Sequence, residues 1–393
     1  MVPRLAEVAL RGALAETEAL RASPCLAEAA ALLHGTAADA ADALALARRE
    51  SARIWVGLRD SPDYDSLTYW DAVPEDVESA YACAALLAAA ADALIGPVSR
   101  ETRRALDVAV IVATAAPGRE ASRRRADALL DALALLWPDA PAPAARRPTK
   151  RQRNVEAPPP LCPDDGAPLR LLAPTAKEFQ EHVRTRDTPV VLVGVIDDWA
   201  ACNEWKSVRD LVRGHEGRTV PVEAGVYDGG AGDGRSQSLM TLAELADAIK
   251  TDTTAAAGAE PRAERPPYLA QHRLFDQIPS LAKAFSEPRS LTGGGAVASA
   301  WVGAAATFTP AHADPRDNLF AQVSGVKRWR LWPPSAAAPE APPAVRVDIR
   351  PGQLLYVPRG WWHDVQALEP AISISFWFDT PTSADRAAGR GAT

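Results

Sequence analysis

The chain changes character at a proline-rich boundary, and the two sides require different architectures. Alanine occupies 39 of the first 140 residues, interleaved with leucine and charged residues at helical spacing, and alanine is the strongest helix former. Asp76 to Ile95 is the clearest helix, stopped by Gly96-Pro97. Ser99 to Thr114 and Ala121 to Trp137 read as the next two. Short breaks between them predict an antiparallel array of helical hairpins, an all-α N-terminal domain. The repeat signal is too weak for a tetratricopeptide array. His34 reads as a helix-surface histidine, and nothing here forms a catalytic constellation, so a scaffold or a partner-binding role is expected for residues 1–140. A Pro-rich tether from Pro138 to Pro168 follows, which sets the linker at 141–168, a second domain at 169–381 and a tail at 382–393. Its basic run, Arg146-Arg147-Pro148-Thr149-Lys150-Arg151-Gln152-Arg153, reads either as a nuclear-import signal or as a solvated linker.

The second part opens with an α/β lead-in. Thr175-x-x-Glu178 and Thr241-x-x-Glu244 are capping-box patterns, each starting a short helix, and Pro189 to Val195 is a continuous apolar strand. His182 and His215 lie here without an assigned role. Strand and turn patterns then dominate. Ala300 to Gly303 and Phe308 to Pro310 precede a strand over Asn318 to Val323, a tight turn at Ser324-Gly325 and a return strand over Lys327 to Leu331.

Between these strands sits the one local pattern suited to a metal. His312 and Asp314 are two residues apart, so an extended chain points both to one face. His363 follows on a later strand and closes the set. Two imidazoles and a carboxylate on one face of an iron leave positions open for a cosubstrate and oxygen, as in non-haem Fe(II) oxygenases. Taken alone, a His-x-Asp pair also reads as a surface loop. In the return strand, Lys327, Trp329 and Leu331 share one face and Arg328 and Arg330 the other. An inward lysine needs an anionic partner, which a dicarboxylate would supply; a solvated strand lysine is the alternative. The last strand, Ile372 to Phe378, places Ser373, Ser375 and Trp377 on one face. It reads either as a half-buried edge strand or as a hydroxyl and an aromatic wall beside the site.

The stretch from about Thr188 to Phe378 resembles the jumonji-C (JmjC) domain of the cupin-type, double-stranded β-helix oxygenases. The resemblance rests on Thr219-Val220-Pro221-Val222-Glu223, on Ser236 to Thr241, on the long run Tyr268 to Pro279, on the metal strand and on Ser373 to Trp377. It implies a mainly-β catalytic domain using Fe(II), 2-oxoglutarate and O2. His312, Asp314 and His363 match the iron ligands; Tyr268, Thr309 and Lys327 match the groups that hold the distal carboxylate of 2-oxoglutarate. Asn318 lines that pocket, and Ser373 is expected there too. Glu223 matches an acidic residue that pairs with a substrate guanidinium, and Trp301 and Trp377 match its aromatic walls. The implied activity is hydroxylation of arginine at C3 in a protein or peptide substrate, with methyl-lysine demethylation as the alternative. Between Trp332 and Val345 the chain is shorter than in this family, which puts contacts made by that insert in doubt. A catalytically silent partner-binding JmjC module and a non-oxygenase metal cupin remain as other classes.

Composition sets the remaining limits. A net charge of −7 argues against strong non-specific nucleic-acid binding. Cys25, Cys83, Cys162 and Cys202 are too dispersed for a disulfide framework or a zinc site. The N-terminus lacks the apolar core of a signal peptide. Ala80 to Ala91, the most apolar stretch, is expected to be too short to span a membrane. A nuclear or cytoplasmic protein is expected.

Overall fold

The computed structural model describes residues 2–34, 36–60, 73–115, 120–136, 168–226, 235–251, 264–336 and 341–380. The basic tether, the 382–393 tail and Cys162 lie outside these residues. The chain divides into two compact units. One comprises Met1–Ala144 with Gly214–Pro221 and Gln237–Leu242, the other Ala145–Arg213, Val222–Ser236 and Ala243–Thr393.

The first unit is built from α1 (Val2–Ala15), α2 (Thr17–Ala22), α3 (Pro24–Leu32), α4 (Ala37–Asp60), α5 (Glu75–Ile95), α6 (Arg100–Ala115) and α7 (Glu120–Leu136). The three long helices expected from the pattern are α5, α6 and α7, with no end moved by more than one residue. Helix α5 begins after Pro74, carries Glu75, Asp76 and Glu78 in its first turn, where the helix dipole favours acids, and stops at Gly96. It is the core of the unit: α1, α4, α6 and α7 pack around it, and Tyr81 through Ala91 are all buried. By length and composition α5 could cross a membrane, longer than the Ala80 to Ala91 run suggests, but 83% of its most apolar window is buried inside the unit. Buried Arg125 is matched by Glu16 at 2.8 Å and Glu78 at 3.1 Å, so its charge is compensated. The short Gly214–Pro221 segment joins this unit through Asp107, which accepts from Arg218 Nε at 2.7 Å and from the Thr219 N–H at 2.8 Å.

The strands of the second part are β1 (Leu169–Leu172), β2 (Val190–Val193), β3 (Thr219–Val226), β4 (Arg235–Thr241), β5 (Glu264–His272), β6 (Val297–Gly303), β7 (Phe308–Ala313), β8 (Asp317–Ser324), β9 (Lys327–Trp332), β10 (Val345–Ile349), β11 (Gln353–Val357), β12 (Trp362–Ala367) and β13 (Ala371–Phe378). They form a nine-stranded sheet in the order β1-β2-β11-β8-β13-β6-β5-β3-β4 and a four-stranded sheet in the order β10-β9-β12-β7. Phe320 and Leu355 from the large sheet meet Trp329, Leu331, Val347 and Val365 from the small one in a common core. This is the two-sheet β-helix architecture that the family resemblance implies, preceded by its α/β lead-in. There Thr175 and Glu178 form a complete capping box on the helix Ala176–Thr185. Strand β13 is not an edge strand: it lies between β6 and β8 and all but Trp377 of its residues are buried.

Alternation along β9 sorts its side chains as the pattern requires. Lys327, Trp329 and Leu331 are buried, while Arg328 reaches Asp348 at 2.7 Å and Arg330 pairs with Asp364 on the outer face. The β8–β9 turn depends on Gly325, whose φ of +71° suits glycine and whose absent Cβ would stand 2.2 Å from the Pro370 carbonyl oxygen. Gly325→Ala is expected to destabilise the chain by about 1–3 kcal/mol, read from urea unfolding; a loss under ~0.5 kcal/mol would show that the turn relaxes freely.

Candidate active site

The site begins with a register. Strands β7 and β12 run antiparallel with His312 directly opposite His363 and Ala313 opposite Trp362. The two imidazole centroids are 4.3 Å apart. His312 Nδ1 lies 2.8 Å from the Pro310 carbonyl and His363 Nδ1 3.0 Å from the Trp361 carbonyl. A carbonyl can only accept, so each Nδ1 carries the proton and each Nε2 keeps its lone pair. Those Nε2 atoms stand 3.6 and 3.7 Å from the two carboxylate oxygens of Asp314. Asp314 is held in turn by the Gly360 N–H, which donates to its carbonyl at 2.9 Å.

Burial first, and then the neighbouring His312, push the His363 imidazolium down to about 3, against the pull of its backbone bond. Burial pushes the Asp314 carboxyl up, and His312 opposes that shift. His363 is therefore a neutral imidazole at ordinary pH. One ligand atom from each of the three residues fits within 4.8 Å, the only such His, Cys, Asp or Glu cluster among the described residues. Oriented imidazoles with their second nitrogens tied to carbonyls are the usual support of a metal centre. The donor set fits a divalent iron with positions left open.

The same cleft, of about 330 Å³, is lined by Tyr268, Trp301, Thr309, Asn318, Lys327 and Trp377 as well as the triad. Lys327 is buried in it with its Nζ 3.0 Å from the Tyr268 hydroxyl, which is itself bonded to the Thr309 side chain. No carboxylate pairs with Lys327 among the described residues, and burial pulls its ammonium down to about 7. The rings of Tyr268, Phe320 and Trp301 surround it at 5.2 to 5.7 Å. Asn318 Oδ1 and Trp329 Nε1 are buried without a partner. The unpartnered Trp329 donor and a buried lysine without a counter-ion, both in one cleft, suit a carboxylate-bearing occupant.

Two expected residues are not among those lining this cleft. The Ser373 hydroxyl donates to Gln322 Oε1 at 3.0 Å and does not line the cleft, because its cross-strand partner Gln322 captures it. Glu223 is half-buried on β3, opposite Tyr268 on β5, and is also outside the lining. Trp301 is fixed by its indole N–H, which donates to Ser375 Oγ at 2.9 Å. His272 is buried against Gln277 Oε1 at 2.7 Å, and burial holds it down at about 4. It is a core residue.

The cleft also contains Phe320, Trp329, Val365 and Gln271, which sequence reasoning did not single out as site residues. The first three follow from alternation, each two residues beyond Asn318, Lys327 or His363. Gln271 does not: it has a φ of +47° where the β5–β6 register shifts, and no sequence pattern announces that.

Residues 175–339 match the Cupin-like domain family and residues 295–386 the JmjC domain family. The chain is similar to Lysine-specific demethylase 8 of Xenopus tropicalis, with 32% identity over 252 residues, 56% of this chain and 54% of the relative. It is similar to Jumonji C domain-containing protein 5 of Drosophila melanogaster, with 32% identity over 244 residues, 53% of this chain and 59% of the relative. Lysine-specific demethylase JMJ30 of Arabidopsis thaliana shares 32% identity over 222 residues, 49% of this chain and 50% of the relative. The chain spans about half the length of these curated relatives.

The pocket geometry makes two predictions. A Cβ on Gly303 would lie 2.6 Å from Tyr268 Cδ2, so Gly303→Ala must displace the ring that Lys327 bonds. Affinity for 2-oxoglutarate, read by calorimetry on the Mn(II)-loaded protein, is expected to fall about tenfold with Mn(II) affinity unchanged; equal weakening of both would point to general damage. The second concerns protons. With Lys327 near 7 when unpaired and its ordinary value near 10.5, a carboxylate bound against it raises its pKa again. Binding at pH 8 should therefore take up a proton, while binding at pH 6, where the lysine is already charged, should not. Calorimetry in two buffers of different ionisation enthalpy measures this, and Lys327→Met should abolish it.

Proposed function

We propose that this chain, whose residues 175–339 match the Cupin-like domain family and 295–386 the JmjC domain family, is an Fe(II)- and 2-oxoglutarate-dependent oxygenase acting on protein side chains. The observation that carries this reading is the oriented His312, Asp314, His363 triad sharing a cleft with the unpaired, buried Lys327. JmjC proteins depend on Fe(II) and 2-oxoglutarate. Bound together with O2, these supply oxidative decarboxylation to succinate and CO2 with insertion of one oxygen into a substrate C–H bond.

The chain's own residues do the positioning. His312, Asp314 and His363 would hold the iron. Lys327, with the hydroxyls of Tyr268 and Thr309, would bind the far carboxylate by charge-assisted hydrogen bonds. Phe320, Trp329 and Val365 line the cleft with apolar surface and exclude water from the reacting centre. Trp301 and Trp377 complete the wall and would orient the substrate side chain.

For the substrate we favour an arginine side chain in a protein or peptide, hydroxylated at C3. Flat aromatic faces and a carboxylate suit a guanidinium; Trp301 and Trp377 offer the faces, and Glu223, opposite Tyr268, is the carboxylate this reading assigns. A second reading, methyl-lysine demethylation by the same oxygen insertion at an N-methyl group, is favoured by the names of two similar proteins. Residence in the nucleus or cytoplasm, and a protein partner for the helical unit, belong to the same proposal.

The test is mass spectrometry of a peptide pool containing arginine and methyl-lysine sites, incubated with protein, Fe(II) and 2-oxoglutarate. Gain of one oxygen on arginine, absent with His312→Ala, is the expected result. Loss of methyl groups would replace it with the demethylase reading, and failure to form succinate would end the oxygenase proposal. Glu223→Gln should raise KM for an arginine peptide by roughly 10-fold or more, the loss of one charged hydrogen bond, with 2-oxoglutarate affinity unchanged; an unaltered KM would remove Glu223 from the substrate site.

A further inference from the structure

Asp317 is nearly fully buried at the first position of β8, three residues after the metal-ligand candidate Asp314. Strand β8 is flanked by β11 on one side and β13 on the other, and the Asp317 carboxylate reaches the exits of both. On the β11 side it accepts from the Arg359 N–H at 3.0 Å, from Arg359 Nη2 at 2.8 Å and from the Tyr356 hydroxyl at 3.3 Å. On the β13 side it accepts from the Thr380 hydroxyl at 2.5 Å and the Thr380 N–H at 3.2 Å. Arg359 closes the ring by donating to the Thr380 carbonyl at 2.8 Å.

The position of this clasp matters more than its strength. Arg359 belongs to the short turn between β11 and β12, four residues before His363, and its neighbour Gly360 donates to the Asp314 carbonyl. The turn is thus tied twice to the chain around Asp314, once by Gly360 to the Asp314 carbonyl and once by Arg359 to the Asp317 carboxylate three residues later. Thr380 lies three residues after Trp377, whose backbone pairs with Asn318 across β8 and β13. The chain segments that deliver Asp314, His363 and Trp377 are tied to one buried carboxylate that does not line the cleft. Burial alone would raise that carboxyl, but the Arg359 and Thr380 bonds more than offset it and keep the group anionic.

We infer that Asp317 is a positioning residue for the metal centre: through Arg359 it fixes the β11–β12 turn, and so sets His363 against Asp314. This rests on the reading of the triad as a metal site. Outer groups that orient ligands commonly contribute 10–100-fold to metal affinity, and a clasp acting through a turn should lie near the lower end.

The experiment is Co(II) titration of the full chain, following the ligand-field spectrum, with thermal unfolding of the metal-free protein alongside. Asp317→Asn is expected to weaken Co(II) binding about tenfold and to alter the spectrum. The double variant Asp317→Asn with Arg359→Gln, which restores a neutral hydrogen-bonding pair, should recover part of both. A purely structural role would lower the unfolding temperature and leave the affinity and spectrum of the folded protein unchanged, and that result overturns the inference. If Asp317→Asn does not fold, Thr380→Val removes a single bond of the clasp. A few-fold weakening in that folded variant supports the inference, and wild-type affinity and spectrum overturn it. Wild-type protein that fails to bind Co(II) would instead refute the metal reading beneath it.

Discussion

The candidate metal triad, assembled around two paired strands, exists in one register only. His312 and His363 face each other because β7 and β12 pair at that position, and a slip of one residue would turn one imidazole to the far side of the sheet. What holds the register is therefore the constraint under the whole site. The small sheet contributes through β9, which pairs with β12 along its full length and sets Leu331 beside His363 and Trp329 beside Val365. The pairing shifts just past His363, a local irregularity of the kind that re-aims side chains near active sites. The ligand set is the product of sheet pairing, turn geometry and two backbone carbonyls that choose the tautomers.

The second dependence is electrostatic. A lysine inside a β-barrel core is unfavourable unless something compensates it, and among the described residues only a phenol and aromatic faces do so. Lys327 is thus left partly unsatisfied by the fold. Such a site favours an anion over a neutral occupant of the same shape, because only the anion stabilises the charged form of the lysine. The orphaned atoms of Asn318 and Trp329 work in the same direction: they disfavour an empty or purely apolar filling.

Much of this was legible because β-structure has a period of two. His312 with Asp314, and Lys327 with Trp329, could be assigned to shared faces from spacing alone; the second pair holds within β9, and the first meets at one point although Asp314 lies one residue past the end of β7. The helical half was readable from alanine content and its Gly-Pro stops. What spacing cannot convey is which distant strand lies opposite. Ser373 had the right face, but its hydroxyl is taken by Gln322 across the β13–β8 pairing. Gly303 matters only because Tyr268 pairs with it across β5 and β6. The central place of β13, the Asp107–Arg218 pair and the reach of Asp317 to two strand exits all depend on tertiary neighbours. None of them leaves a local mark in the chain.

The alanine core of α5 has a consequence of its own. A methyl side chain has no rotamers to freeze, so packing α5 against its neighbours costs little side-chain entropy, and its contacts are set by backbone proximity. At Gly12, even one added carbon would approach Leu86 and Ala128 within 3.1 and 3.2 Å. A core made this way has almost no alternative packings to explore. It cannot reshape itself around a visitor as a core rich in methionine or leucine can. A partner of the helical unit would have to accept its surface as it stands, so recognition there would be decided by the outward-facing residues while the interior serves as a fixed last.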